Sequence, residues 1–388
     1  MFRDSLFTPL QLGALQLPNR IIMAPLTRMR AGFNNVPTPL NAKYYAQRAS
    51  AGLIISEGTA ISPDAHGYPV APGIYSEEQI AGWHVVTDAV HAAGGRIVMQ
   101  IGHNGRNSHS SLRPDGSVPI APSAIPPSIP ALTKDFQQVK AEIPRALETA
   151  EIPGIVDNFR QAAVNAIKAG FDGVELQGAN SHLIEEFLED GTNIRTDRYG
   201  GSKENRASFL LEVVKELSNE IGTDRLGVRL SPFGQYGGIR DSKPRELFSF
   251  VIQKLSECHI AYLHLIEARG SEMGLTDELH ENAVNNAVLF RSEFSGPLIS
   301  AAAYTPDSAA LAIEQRHEDA IAFGRLFIAN PDLVERIRGN HLLNTSDRST
   351  FYGGAEHGYT DYKAFGKCRV SGITTHPLSR ERRAVESN

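Results

Sequence analysis

The sequence predicts a single α/β domain folded as a (β/α)8 TIM barrel. Short apolar runs rich in strand-forming residues alternate along the chain with longer segments of helical periodicity. Apolar strands that alternate with helices are typical of a parallel sheet covered by helices, and eight such units close a barrel. The runs are RIIMAPL (20–26), GLIISEG (52–58), RIVMQIG (96–102), GVELQ (173–177), LGVRLSP (226–232), YLHLIEA (262–268), PLISAAA (297–303) and DAIAFGR (319–325).

Helices are predicted between these strands because apolar residues recur there at helical spacing. Ile80, Trp83, Val86 and Val90 form one such face, and the Gly-Gly pair that follows ends the helix. Later in the chain, Thr305 is a candidate N-cap, since a proline follows at the first helical position. Equivalent faces are formed by Ile155, Phe159, Ala162 and Ala166, and by Phe209, Leu210, Val213, Val214 and Leu217.

Two segments depart from this rhythm. The segment from about 104 to 152 is rich in proline, serine and alanine and lies between the third strand and its helix. A barrel places active-site loops there, so we expect an excursion over the top face. Near its end the chain becomes polar and charged, so the barrel domain is predicted to span 1–365 and a weakly ordered tail 366–388.

Composition excludes several classes of protein. A formal net charge of -6 gives no positive field for nucleic acid. Cys258 and Cys368 are far apart, and no CxxC, HxH or HExxH motif occurs, so neither a disulfide framework nor a metal site is expected. No run resembles a signal peptide or a membrane span. We expect a cytoplasmic monomer or homodimer that binds a small-molecule substrate rather than nucleic acid or membrane.

Barrel enzymes carry their chemistry at the carboxyl ends of the strands, and several polar residues and glycines lie there. Taken singly, Gln100 and Arg229 could be polar residues of the barrel interior, and Gly324-Arg325 a strand-to-helix turn. Barrels often bind phosphate after strands seven and eight, so Gly324 and Arg325 also form a candidate anion site. The strand-end candidates are Ala24, Pro25, Thr27, Gly58, Gln100, Arg229, Gly324 and Arg325.

Together, the stretches around these residues resemble the old yellow enzyme family, in particular its bacterial N-ethylmaleimide reductase-like members. The resemblance implies an FMN-dependent oxidoreductase that takes hydride from NADPH or NADH. Its expected reaction is ping-pong hydride transfer to an activated alkene, an α,β-unsaturated carbonyl or nitro compound. The matching stretches are LFTPLQLGALQLPNRIIMAPLTRMRA, YYAQRASAGLIISEGTAIS, GYPVAPGIYSEEQI, EEFLEDGTNIRTDRYGGSKENR, FGRLFIANPDL and FYGGAEHGYTDY.

The resemblance also assigns flavin-binding roles. Ala24, Pro25 and Thr27 would line the flavin ring, and Gly58 would let the backbone approach it. Gln100 would bind the pyrimidine edge, with Arg229 near N1, where its fixed charge can stabilise reduced flavin. The phosphate would be held by Gly324, Arg325 and Ala302.

One phosphate-site residue departs from close relatives. They show a GAG-like run where this chain has Ser300-Ala301-Ala302. Phosphate contacts of the backbone N–H would survive if the alanine backbone angles are ordinary.

The catalytic motif departs further. In the family, strand four ends with His, then Asn or His three residues on, and usually Tyr two further. This chain has Gln177, Asn180 and His182. Gln177 and Asn180 can still form a two-donor clamp on a carbonyl or nitro oxygen. His182, with an ordinary pKa near 6.5, is the candidate proton donor; alternatively, it faces solvent or a backbone carbonyl and water supplies the proton.

Two further positions concern the substrate pocket. Gly102 stands where bacterial relatives commonly have Trp, which predicts a larger pocket unless a neighbouring loop fills the space. Tyr352 matches a family position beside the substrate, as a wall or a second proton source. The altered motif leaves two other functions open: a flavin-dependent isomerase or desaturase, and a weakly catalytic flavin- or ligand-binding protein.

Overall fold

The structure, a computed structural model, describes residues 3–270, 279–280 and 283–366. Within these ranges, eight parallel strands close a barrel with helices between them. The tail predicted from 366, after its first residue, lies outside the described residues, as does Cys368. The barrel strands are β1 (Ile21–Met23), β2 (Leu53–Ile55), β3 (Ile97–Gly102), β4 (Gly173–Gly178), β5 (Leu226–Leu230), β6 (Tyr262–Ile266), β7 (Leu298–Ala301) and β8 (Ala320–Phe323).

The barrel strands pair in chain order, and β8 returns to pair with β1. The register matters most around β4. Glu175 lies opposite Gln100 of β3, and Gln177 lies opposite Arg229 of β5. Neighbouring strands therefore bring four polar residues of the barrel interior together. Every strand overlaps the run predicted for it, so the predicted (β/α)8 TIM barrel is confirmed.

Apolar side chains fill the barrel below these polar residues. Ile22, Leu53 and Ile299 are completely buried there. An antiparallel hairpin of strands Leu10–Leu12 and Leu15–Leu17 packs against the same cluster at the amino-terminal end of the barrel. That end is closed by leucines, which leaves the opposite end for a ligand.

The helices form the outer layer and bury the faces that the sequence predicts. Trp83 is completely buried. Ser76 is the N-cap of the helix that contains Trp83, and its side chain accepts a hydrogen bond from Gln79 N–H. Thr305 is the N-cap that the sequence predicts, and it accepts from Ser308 N–H at 3.2 Å. The helices are α1 (Pro39–Ala46), α2 (Glu77–Ala92), α3 (Ile152–Lys168), α4 (Leu183–Leu188), α5 (Lys203–Ile221), α6 (Pro244–Glu257), α7 (Asn286–Phe290), α8 (Pro306–Glu314), α9 (Arg325–Ala329) and α10 (Leu333–Arg338).

The connection between β3 and α3 contains short strands of its own. Ile120–Ala121 pairs with Arg145–Ala146, and Ala131–Leu132 forms an antiparallel hairpin with Gln138–Val139. Another short strand, Thr59–Ala60, pairs with the end of β3. No helix among the described residues has the length and apolar character to cross a bilayer. Single 3-10 turns occupy Asp4–Phe7, Phe33–Asn35, Ser110–Leu112, Thr223–Arg225, Tyr236–Gly238, Arg291–Glu293 and Arg348–Thr350.

Candidate active site

A cavity of about 870 Å³ opens at the carboxyl ends of the barrel strands. TIM-barrel enzymes place their active sites at this end. Among the site residues that the sequence predicts, only Gly102 is missing from the cavity wall. The wall includes Ala24, Pro25, Thr27, Gly58, Gln100, Gln177, Asn180, His182, Arg229, Ala302, Gly324, Arg325 and Tyr352.

A buried polar network forms the floor of this cavity. Gln100 Nε2 donates to Glu175 Oε1 at 2.7 Å, and His264 Nδ1 lies 2.9 Å from Glu175 Oε2. Burial lowers the pKa of Arg229, and the negative charge of Glu175 opposes that effect. A guanidinium stays protonated in proteins, so Arg229 brings a fixed positive charge to the floor.

Glu175 determines which atoms the floor presents to a ligand. Because Gln100 uses Nε2 to bind Glu175, its Oε1 is left as an acceptor, and it lies 3.4 Å from where a Cβ on Gly58 would be. The buried Nε of Arg229 has no hydrogen-bond partner among the described residues. The cavity floor therefore offers one acceptor and one charged donor.

The two clamp residues each present an amide group to the cavity. Gln177 Oε1 lies 3.4 Å from Gln100 Nε2, which leaves the amide N–H groups of Gln177 for a ligand. The side chain of Asn180 forms no hydrogen bond with another described residue. The arrangement is compatible with the predicted two-donor clamp.

Asn180 lies in a strained turn between β4 and α4. The φ angles of Asn180 and Ser181 are 59° and 58°, in the left-handed region that L-residues disfavour. Asn180 N–H donates to Ser231 Oγ at 3.0 Å. The Ser231 hydroxyl and Ser181 N–H both donate to the buried carboxylate of Glu185. Asn180 is thus held in position by Glu185 of α4 and by Ser231, next to β5.

His182 follows the turn and is only 9% exposed, so it does not face solvent. Its Nε2 lies 3.5 Å from Asn104 Nδ2, and its Nδ1 has no partner among the described residues. Burial, with smaller electrostatic contributions from His103 and Arg229, lowers the pKa of His182 to about 4. The expectation of an imidazole titrating near pH 6.5 is therefore corrected: the ring is neutral at pH 7.

The prediction for Gly102 also needs correction. A Cβ at this position would lie 3.2 Å from Gln177 Cβ and 3.8 Å from His182 Nδ1. Gly102 thus lies behind these two side chains and does not border the cavity. Glycine here gives Gln177 and His182 room, and it does not enlarge the pocket directly.

Ala302 lines the cavity in an unusual conformation. Its φ is 82°, and the φ of Ala303 is 60°. The condition on which the sequence argument relied, ordinary alanine backbone angles, is therefore not met. The backbone N–H groups remain available, but two alanines adopt a conformation that favours glycine.

Tyr352 lies at the rim of the cavity and is 47% exposed. The neighbouring backbone is anchored by Arg28, which donates to the carbonyls of Phe351 and Gly358, each at 2.9 Å. These bonds connect the C-terminal segment to the loop after β1. Tyr352 is therefore held at the entrance, away from the floor.

The wall also contains residues that sequence reasoning did not select. Tyr68 and Tyr236 line the cavity, and burial raises the pKa of Tyr68 well above its ordinary value. Leu132 and Phe136 reach the cavity from the hairpin between β3 and α3. Tyr68 lies within a family-like stretch, GYPVAPGIYSEEQI. The signal for the hairpin residues was apolar side chains in an otherwise polar, proline-rich loop.

Comparison with known proteins decides the family. The model of the NADH:flavin oxidoreductase / NADH oxidase family matches residues 5–344. The chain belongs to this family. It is 43% identical over 374 residues to 12-oxophytodienoate reductase 1 of Oryza sativa subsp. japonica, covering 96% of both chains. It is 42% identical over 361 residues to 12-oxophytodienoate reductase 2 of Arabidopsis thaliana, covering 92% of this chain and 95% of the relative.

Solved structures agree with this assignment. Morphinone reductase in complex with tetrahydroNAD superposes with a TM-score of 0.86 at 48% identity, covering 93% of this chain and 98% of the other. The old yellow enzyme homologue from Zymomonas mobilis superposes with a TM-score of 0.88 at 43% identity, covering 92% and 99%. The predictions of an old yellow enzyme-type oxidoreductase with FMN and a nicotinamide reductant are confirmed.

The residues of the cavity fit FMN. The Oε1 of Gln100 can accept a hydrogen bond from an N–H of a pyrimidine ring. The Nε of Arg229, which has no partner among the described residues, can donate one to the electron-rich edge of the same ring. At the other end, Gly324 leaves little room for a side chain, since a Cβ there would lie 3.3 Å from Leu26. Arg325 lines the same end, and a guanidinium binds phosphate well.

Proposed function

We propose that this old yellow enzyme-type oxidoreductase uses NADPH or NADH to reduce the C=C bond of an activated alkene. The observation that carries the proposal is the pair of amide groups, Gln177 and Asn180, above a floor suited to a flavin. The relatives named 12-oxophytodienoate reductase and morphinone reductase support a reductase. Cytoplasmic location, a monomeric or homodimeric state, and the choice between NADPH and NADH stay predictions.

The clamp residues act on the electron-withdrawing group of the substrate. Bound FMN supplies a store for the hydride between the two half-reactions. Gln177 and Asn180 donate N–H bonds to the carbonyl or nitro oxygen and stabilise the negative charge that grows there. Neutral amides attract that charge less strongly than a charged imidazolium would. The two amide groups must therefore be placed accurately. Gln100 positions Gln177, and the hydrogen bonds of the Asn180-Ser181 turn position Asn180.

Alkene reduction also needs a proton at the α-carbon. His182 is the buried titratable side chain next to the clamp, and it lines the same cavity. Because its ring is neutral, it can give up its single N–H proton only if the other ring nitrogen accepts one. His182 therefore acts as a neutral donor whose proton must be replaced.

Stopped-flow spectroscopy of the two half-reactions tests the proposal. FMN-loaded enzyme is reduced anaerobically with NADPH or NADH and then mixed with a cyclic enone or a nitroalkene. We expect reoxidation of the flavin and formation of the saturated product. In Asn180→Leu, which keeps the volume but removes the donor, kcat with the enone should fall by about 10²-fold. Exposed Gln137→Leu is the matched control and should not change it.

Other outcomes would favour the other functions. A product of unchanged redox state would indicate an isomerase. An enzyme that the nicotinamide does not reduce would indicate a flavin- or ligand-binding protein. Full activity in Asn180→Leu would show that residue 180 does not bind the substrate oxygen.

A further inference from the structure

We propose that Glu175 lowers the reduction potential of the bound flavin, because it holds a negative charge beneath the cavity floor and fixes the amide of Gln100. Glu175 is completely buried and does not border the cavity, so it is a positioning residue that acts through its neighbours and its charge. This inference rests on the flavin ring lying over the floor, as in the proposed function. It does not depend on which substrate accepts the hydride.

The barrel strands place Glu175 one layer below the cavity. Glu175 and Gln177 are two residues apart in β4, so their side chains point to the same side of the strand. Gln177 borders the cavity, and Glu175 lies beneath it. There, Glu175 Oε1 accepts from Gln100 Nε2 at 2.7 Å, and Oε2 lies 2.9 Å from His264 Nδ1. Both carboxylate oxygens therefore have partners on neighbouring strands.

Glu175 is ionised at pH 7. Burial alone would raise the pKa of its carboxyl group, but its interactions with His264 and Arg229 and the hydrogen bond from Gln100 lower that pKa below its ordinary value. Burial also lowers the pKa of His264, so this ring is neutral. Since a carboxylate only accepts, His264 donates from Nδ1. His264 thus binds the carboxylate and leaves its negative charge in place.

The charge of Glu175 balances that of Arg229. Glu175 is the carboxylate that acts on the pKa of Arg229, where it opposes the effect of burial. Charges interact more strongly in a buried region than in water. A hydride carries two electrons and one proton, so its transfer from the nicotinamide adds one negative charge to a neutral flavin ring. Arg229 attracts that charge and Glu175 repels it, so the carboxylate disfavours the reduced flavin.

Glu175 also decides which end of the Gln100 amide faces the cavity. A carboxylate accepts only, so it keeps Gln100 Nε2 turned toward itself and leaves Oε1 as the acceptor for a ring N–H. Gln100 Nε2 also lies 3.4 Å from Gln177 Oε1. The orientation that Glu175 imposes on Gln100 therefore extends to the clamp.

The consequence for the enzyme is a stronger hydride donor. A flavin of lower potential gives up hydride more readily and accepts it less readily from the nicotinamide. The neutral amides of Gln177 and Asn180 polarise a substrate less than a charged donor would. A stronger hydride donor offsets that weaker polarisation.

Three variants of Glu175 test the proposal in the FMN-loaded enzyme. Glu175→Gln and Glu175→Met remove the charge, and Glu175→Asp keeps it. The potential of the bound flavin is measured by anaerobic reduction in the presence of a reference dye. Each charge-removing variant should favour reduced over oxidised flavin by about tenfold or more, equivalent to about 30 mV for a two-electron couple. Glu175→Asp should keep a potential close to that of the unaltered enzyme.

The same variants separate charge from orientation. Glu175→Gln still offers Gln100 an amide oxygen, whereas Glu175→Met offers no comparable acceptor. Oxidised FMN should therefore bind about tenfold more weakly to the Met variant than to the Gln variant, the equivalent of one hydrogen bond. Quenching of FMN fluorescence on binding to the flavin-free protein measures both affinities. Equal affinities would show that Glu175 does not orient Gln100.

Glu267→Gln is the matched control and should leave the potential unchanged. Glu267 is also buried and accepts from a serine hydroxyl, but it is not among the groups that act on the pKa of Arg229. An unchanged potential in both charge-removing variants would overturn the proposal. An equal shift in Glu175→Asp or in the control would do so too, because it would indicate a general disturbance of the core. If the shift occurs but the unaltered enzyme does not reduce enones, alkene reduction fails and the role of Glu175 stands.

Discussion

His182 and Arg229 line the same cavity but carry different charges at pH 7. Arginine keeps its proton in proteins, so Arg229 is a fixed cation. Burial, with smaller electrostatic contributions from its neighbours, lowers the pKa of His182 to about 4, so its ring is neutral. The sequence motif identifies a histidine at the proton-donor position, but the surroundings decide its protonation state. A neutral ring can donate its N–H proton again only after it has been reprotonated.

Ala302 provides a test of backbone strain at the single-residue level. Alanine at φ 82° loses about 1–2 kcal/mol relative to its preferred conformations. Glycine removes that strain but gives up about 0.5–1 kcal/mol of chain entropy. We therefore expect Ala302→Gly to raise the free energy of unfolding by roughly 0.5–1 kcal/mol, measured by urea denaturation at saturating FMN.

The neighbouring residue supplies the control for this prediction. Ala301 is the last residue of β7, only 4% exposed, and its φ is not positive. Ala301→Gly relieves no strain and removes a buried methyl, so it should lower the free energy of unfolding by about 1 kcal/mol or more. If both variants lose stability equally, the backbone at Ala302 is not strained.

The β4–α4 connection depends on one partner distant in sequence and one from the helix that follows it. The Asn180-Ser181 turn is stabilised by Ser231, next to β5, and by Glu185 of α4. Burial raises the pKa of Glu185, and its hydrogen bonds with Ser231 and Ser181 oppose that rise. The carboxylate of Glu185 therefore braces the turn, in the sense that it accepts the hydrogen bonds that fix it. Glu185 positions Asn180 in this way but does not line the cavity itself.

Ser231→Ala tests this brace. The change leaves Asn180 N–H without its acceptor and Glu185 with one fewer donor, so the turn should lose its fixed geometry. We expect the KM for a cyclic enone to rise about tenfold, the equivalent of one typical hydrogen bond. Reduction by the nicotinamide should be unchanged. The measurement is steady-state kinetics combined with the reductive half-reaction.

A serine of β7 serves as the control. Ser300 Oγ donates to the buried Glu267 at 2.6 Å, so Ser300→Ala also removes a serine–carboxylate bond. It should lower stability by about 1 kcal/mol, as a lost hydrogen bond does, without changing the enone KM. Similar KM values in the two variants would show that the Ser231 bond does not position Asn180.

At the scale of the whole molecule, the barrel was predictable because its signals are local. Apolar runs indicate the eight strands, and apolar residues at helical spacing indicate α2, α3 and α5. Parallel strands bring their carboxyl ends to one rim. Residues at strand ends, such as Gln100 and Arg229, were therefore predictable as a group. The position of Gly102, the conformation of Ala302 and the neutrality of His182 were not. They depend on burial and on contacts between distant segments, which spacing does not encode.

The same architecture makes FMN a link between strands that are far apart in sequence. Its proposed contacts involve Gln100 of β3, Arg229 of β5 and Arg325 after β8. A ligand at one hundred times its Kd adds about 2.7 kcal/mol to the free energy of unfolding. Riboflavin has the same ring but no phosphate, so it should raise the Tm less than FMN at equal concentration.

The variant Arg325→Ala tests whether the difference between the Tm shifts with FMN and with riboflavin comes from the phosphate site. In this variant the Tm shift produced by FMN should fall toward the shift produced by riboflavin, because the guanidinium that binds phosphate is gone. The riboflavin shift should stay the same, since the ring contacts remain. Differential scanning fluorimetry of the flavin-free protein with each ligand gives all four shifts. Equal shifts for FMN and riboflavin in the unaltered protein would contradict a phosphate site at Gly324 and Arg325.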